Sequence, residues 1–135
     1  MKEGAGMRKK SVLFIAIVII SVALNIYLGT SSFLKSTYTP NIDDQEILGE
    51  MTVMTLQNEE YQSIAEKETV HSIMQRVSRF NVADPSSVIH YEVHVSTDQQ
   101  TYIFYCEDEA CTNVSLGGWA YSRYTEEEPL LPLKK

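Results

Sequence analysis

The sequence predicts an α+β protein: an N-terminal transmembrane helix, then one long helix packed on a small antiparallel sheet of three to four strands. Three observations carry this. Residues 11–34 run for 24 positions without a charge. Residues 58–80 repeat apolar side chains at three- and four-residue steps, the spacing of one helix face. Residues 88–124 break into short alternating or apolar runs separated by turn residues, the pattern of hairpin-linked strands.

The uncharged run comes first. At ~1.5 Å per residue it spans about 36 Å as a helix, enough for a hydrocarbon core of ~30 Å with some tilt. Lys2, Arg8, Lys9 and Lys10 precede it with one anion, Glu3, while Lys35 alone follows before the acids Asp43, Asp44, Glu46 and Glu50. That Lys/Arg asymmetry places residues 1–10 as a cytoplasmic basic stub and residues 35–135 outside the cell membrane. The rival is a cleaved signal peptide. Ser21-Val22-Ala23 offers small residues at the two key positions, and Gly29-Thr30-Ser31 a second site. The apolar run continues past Ala23 through Leu24, Ile26, Tyr27 and Leu28, which favours an uncleaved anchor.

Residues 35–135 suffice for one small core. They hold 7 basic and 17 acidic residues, net −10. Such a domain repels phosphate backbones, so nucleic acid is excluded as a partner; basic partners or divalent cations fit better. No internal repeat is present.

Residues 35–49 (KSTYTPNIDDQEILG) read as a linker, with Pro40, Gly49 and an acidic cluster. Glu50–Leu56 alternates and reads either as a short strand or as the approach to a helix. The helix over 58–80 follows, with Tyr61, Ile64, Ala65, Ile73, Met74, Val77 and Phe80 recurring at three- and four-residue steps. Asn58 caps it, and Glu59 and Glu60 lie at the positive end of its dipole. Asn81 ends it, and Asp84-Pro85-Ser86-Ser87 makes a turn.

Val88–Ser96 alternates as a strand, with Ile89, Tyr91, Val93 and Val95 on one face and His90, Glu92, His94 and Ser96 on the other. Thr97–Gln100 turns the chain into Thr101–Cys106, apolar on both sides and so central. Cys111–Leu116 returns as a third strand, Gly117-Gly118 interrupts it, and Trp119–Tyr124 is a fourth. The α+β domain thus covers 50–124, and residues 125–135 form an acidic, proline-interrupted flexible tail. One helix across a curved antiparallel sheet is similar to the arrangement of small cystatin-like domains, an analogy of architecture that no motif here carries.

Cys106 and Cys111 flank the loop Glu107–Ala110. If the adjoining strands pair through that loop, the two cysteines oppose each other within disulfide range, and an extracytoplasmic location favours oxidation. The spacing is neither the C-x-x-C of oxidoreductases nor, without a second pair, a zinc site.

His90, Glu92 and His94 are weak candidates for a metal site, since imidazole and carboxylate suit zinc or copper. A solvated strand face explains them as well, and no metal or cofactor is expected. No nucleophile elbow or phosphate loop appears, so the chain does not read as an enzyme. Asn113-Val114-Ser115 is a glycosylation sequon that chance accounts for. The aromatics Trp119, Tyr121 and Tyr124 are candidates for an interaction surface.

The expected function is therefore a single-pass, membrane-anchored extracytoplasmic interaction module. It would be an accessory or regulatory protein of a bacterial cell envelope, partnered by the lipid bilayer and another envelope protein. The alternatives are a secreted binding protein or inhibitor released by signal-peptide cleavage, and a metal-binding sensor.

Overall fold

The computed structural model describes residues 3–80 and 89–133. It confirms the α+β class and divides the chain into two compact units, residues 1–36 and 37–135.

The first unit is the bulk of α1 (Glu3–Tyr38). Every side chain from Lys10 to Ser36 is exposed within the chain, including Phe14 and Ile26 at 68% and 65%. By length and composition this helix could cross a membrane, and a signal sequence would pass the same test.

The second unit begins where Thr37 becomes buried. Pro40 interrupts helical structure at residues 39–41, and α2 (Ile42–Gln57) starts at once. Asn41 caps it: its side chain accepts from the Asp44 N–H, and the Asp44 carboxylate accepts from the Asn41 N–H, each at 2.8 Å. The helix buries Asp44, Leu48, Met51 and Thr55, spaced at steps of four and three. Residues 42–49 are thus helical, where a linker was expected. The Asn-x-x-Asp box at 41–44 is the reason, since it satisfies the free N–H groups of the first turn. Residues 50–56 are neither a strand nor the approach to a helix; they lie inside α2.

The expected long helix over 58–80 is corrected. Only α3 (Glu59–Lys67), capped by Asn58, is helical, and β1 (Val70–Ser78) follows. Asp98 marks the change: its side chain accepts from the Thr69 N–H at 3.0 Å, and its own N–H donates to the Thr69 carbonyl at 3.2 Å. The β-branched residues Thr69, Val70, Ile73 and Val77 then favour extended backbone, and pairing with β2 overrides the helical spacing. Asn81 and the turn at 84–87 lie outside the described residues.

β2 (His90–Thr97), β3 (Thr101–Cys106) and β4 (Val114–Ala120) complete an antiparallel meander of order β1-β2-β3-β4. The third and fourth strands expected from the sequence are one strand. Gly117 and Gly118 lie inside it, beside a bulge opposite Ile103/Phe104. A Cβ on Gly117 would stand 2.1 Å from Cε1 of Tyr105, so the aromatic ring occupies the space any side chain would need.

α2 and α3 cover one face of the sheet. The core joins Leu48, Met51 and Ile64 to Val77, Val93, Val95, Phe104 and Val114. Two polar networks pin its ends. Asp44, 2% exposed, accepts from the Tyr91 hydroxyl at 2.9 Å and from the Arg79 guanidinium. At the other end Glu68 accepts from the hydroxyls of Tyr102 and Thr97, each at 2.6 Å. Burial, reinforced by the Glu68 carboxylate, raises the Tyr102 pKa above its ordinary value of 10.0.

Candidate functional site

A concave feature lies between α2 and the tip of the β3–β4 hairpin. Ile47, Met51 and Met54 line it from α2, Tyr91 and Tyr105 from the sheet, and the Cys106–Cys111 bond closes one end. The cavity volume is about 650 Å³. Glu50, Asp108 and Glu109 lie around its exposed edge. An apolar floor with an acidic margin results, and methionines give the floor adaptable side chains.

The disulfide is formed, with Cα atoms 4.8 Å apart. Its geometry differs from the expected cross-strand pair. Cys106 faces Val114 in the sheet register, and Cys111 lies in the loop at φ 54°. That left-handed conformation is uncommon for a residue with a side chain. The Cys111 N–H donates to the Asp108 carbonyl at 3.1 Å, and the covalent bond holds the turn in place.

Asp108 organises the remainder of the tip. Its carboxylate accepts from the Thr112 hydroxyl and, at 3.1 Å, from the Thr112 N–H. These two bonds hold its pKa below the ordinary carboxylate value. It therefore remains an anion at neutral pH, fully exposed at the mouth of the cavity.

His90, Glu92 and His94 fall on alternate positions of β2, as their spacing predicts. Glu92 and His94 meet, Oε2 to Nε2 at 2.7 Å, while exposed His90 lies by the cavity. No group of three His, Cys, Asp or Glu side chains converges as a metal site among the described residues. His94 faces Met74 and Ile103 in the register, and Glu92 faces Arg76 and Tyr105.

The three aromatic candidates separate. Trp119 and Tyr121 are 72% and 66% exposed. Tyr124 lies in a short 3-10 turn (Arg123–Thr125), half-buried, with its ring 4.8 Å from that of His71 and the Arg123 guanidinium 5.1 Å from its centroid. It braces the last turn against β1. Tyr105 and the α2 methionines are the site residues that sequence reasoning missed. The Asn41–Asp44 box was the available sign that residues 42–57 form a helix able to wall a cavity.

Comparison with protein-family models, with curated proteins and with solved structures returns no match. The residues themselves must carry the functional reading.

Proposed function

We propose that this chain is a single-pass, membrane-anchored interaction module of a bacterial cell envelope. Its α+β unit would face the extracytoplasmic side and dock on another envelope protein through the hairpin tip. The observation that carries the reading is α1. Every apolar side chain of its uncharged run from Val12 to Leu34 is exposed. Lipid is the medium that removes such a surface from water. The charge asymmetry around the run supports the orientation, and the Cys106–Cys111 bond fits an oxidising compartment.

The cavity supports binding rather than catalysis. Its carboxylates surround an apolar floor, with no arrangement of nucleophile and base among its described lining residues. A partner segment that combines a lysine or arginine with neighbouring apolar side chains would satisfy both the floor and the margin. Tethering raises the effective concentration of the unit toward any partner in the same bilayer.

Fractionation of cells expressing the full chain tests this. Residues 37–135 should sediment with membranes and resist extraction by salt or alkali, and protease added outside should reach them. Recovery of the unit from the medium, with a new N-terminus near Leu24 or Ser32, would replace the anchor with the secreted alternative that Ser21-Val22-Ala23 leaves standing.

A further inference from the structure

The cavity beneath the hairpin tip has a chemical preference, and the chain carries a segment that meets it. Its described lining joins Met54, Tyr91 and Tyr105 to three carboxylates, Glu50, Asp108 and Glu109. No lysine or arginine stands among those described lining residues. The two hydrogen bonds from Thr112 keep Asp108 ionised at neutral pH. A ligand for this cavity therefore needs apolar side chains for the floor and positive charge directly beside them.

Residues 129–135 have that composition in that order: Pro129-Leu130-Leu131-Pro132-Leu133-Lys134-Lys135. Leu130, Leu131 and Leu133 are 67%, 72% and 79% exposed, more open than any described leucine of α1. They form an apolar run that the α+β unit leaves in water. Pro129 and Pro132 fix φ at their own positions and restrict the residues before them, so ordering this segment on a partner costs less entropy than ordering a free chain. Proline-containing segments dock in aromatic-lined grooves, and Tyr91 and Tyr105 give the cavity aromatic walls. The two lysines follow the leucines directly, as the acidic margin follows the apolar floor.

The segment leaves the sheet at the wrong end to fill the cavity of its own chain. The Ser122 hydroxyl donates to the Thr97 carbonyl at 2.6 Å, and the next turn packs Tyr124 on His71, so the chain departs beside the β2–β3 turn. The Glu127 N–H donates to the Arg123 carbonyl at 2.8 Å, and the Arg123 guanidinium donates to the Glu128 carbonyl at 3.3 Å. These bonds hold residues 123–128 at that end. Tyr91 lies six residues back along β2 from Thr97, about 20 Å away. Leu131, three residues past Glu128, reaches at most about 11 Å.

We propose that the cavity takes residues 129–135 of a second copy of this chain, with the leucines on the apolar floor and Lys134 and Lys135 over Glu50, Asp108 and Glu109. The proposal rests on the reading of the cavity as a peptide site and names an occupant for it. Lipid is the competing destination for leucines beside lysines. Short segments lie on a lipid surface as amphipathic helices, which Pro132, in the middle of this one, opposes. In a shared bilayer, tethering raises the concentration of each segment around neighbouring cavities. A basic, apolar segment of another protein would then compete for the same carboxylates.

Two measurements on the full chain in mild detergent test this. In the first, an equal mixture of unlabelled and isotope-labelled chains is treated with a carbodiimide, which joins lysine amines to carboxylates in contact. Links from Lys134 or Lys135 to Glu50, Asp108 or Glu109 should form, with light–heavy pairs as frequent as same-isotope pairs. In the second, a dye-labelled peptide of residues 128–135 should bind the chain saturably by fluorescence anisotropy. Glu50→Lys with Glu109→Lys, both at exposed positions, should weaken that binding about tenfold with an unchanged circular dichroism spectrum. Leu130→Ser with Leu131→Ser in the peptide should weaken it at least as much. Links confined to one isotope would place the segment in its own cavity. A peptide that binds equally to protein-free micelles or anionic lipid vesicles would assign the segment to lipid, and binding that ignores the lysine substitutions would assign it to another surface. Each of these results overturns the proposal. An envelope protein that crosslinks to Asp108 or Glu109 while the peptide fails to bind would leave the docking reading standing and remove only this occupant.

Discussion

Replacing Asp44 by alanine should destabilise residues 37–135 more than any other single exposed-to-buried charge change at the start of α2. The carboxylate serves three donors at once: the Asn41 N–H, the Tyr91 hydroxyl and the Arg79 guanidinium. Loss of the cap costs about 1 kcal/mol. Loss of the acceptor for Tyr91 costs about 1 kcal/mol. The Arg79 interaction would be worth ~3 kcal/mol at most if fully buried. The Arg79 side chain is 25% exposed and can turn to water, which reduces its share to about 1 kcal/mol. The total is about 3 kcal/mol, equivalent to a fall in Tm of roughly 12–24 °C for a unit of this size. Urea unfolding of the full chain in detergent, followed by the far-ultraviolet signal of the sheet, measures it. Asp44→Asn should fall between, because its amide oxygen still accepts one bond. In a double-mutant cycle with Arg79→Ala, the coupling should be about 1 kcal/mol. A loss below about 0.5 kcal/mol in Asp44→Ala, roughly one-sixth of the expected effect, would refute the network as the anchor of α2.

The remaining predictions concern the rest of the unit. Tyr102 has a folded-state pKa raised above its unfolded value, so its contribution is complete below about pH 10 and is lost as pH rises beyond it; Tyr102→Phe should flatten that alkaline loss in pH-dependent thermal melts. Asp108 should titrate below an ordinary aspartate in carboxyl-carbon NMR, and Thr112→Val should move it upward by removing the side-chain donor named first among its causes. Gly117→Ala should cost about 1–3 kcal/mol, because the new Cβ displaces the Tyr105 ring, and tyrosine fluorescence should report the ring's release. Replacing both Cys106 and Cys111 by serine should cost about 2 kcal/mol in the chain-entropy account of so short a loop. Hydrogen exchange should then quicken at residues 107–113 and little elsewhere.

The parts of the fold legible in the sequence are those where one local pattern decides the conformation. β2 and β3 are plain from the alternation of Tyr91, Val93 and Val95 and from the apolar run Thr101–Cys106. α1 is plain from its length without charge. β1 was not legible, because Ile73, Met74 and Val77 also satisfy helical spacing; pairing with β2, a contact distant in sequence, decides between the two. β4 was split at Gly117 because a glycine pair ordinarily ends a strand, and only the position of the Tyr105 ring explains why it does not. α2 was hidden by its acidic first turn, which resembles a linker until Asn41 and Asp44 are recognised as a reciprocal cap. At the candidate site, the cysteine pair could be expected from its spacing about the loop together with the outward location, though not its geometry. The cavity could not be foreseen, since it needs α2, the hairpin tip and Tyr105 together.

The cover that Asn58 and Glu60 place on the Val114–Leu116 end of β4 has a consequence for solubility. A sheet open at both edges adds strands without limit, which is the route to fibrils. Here the Val114 carbonyl and the Leu116 N–H are already engaged, which blunts the first half of the β4 edge. Substitutions that strip the caps, Asn58→Ala with Glu60→Ala, should make the unit more prone to aggregate under conditions where the parent protein stays soluble.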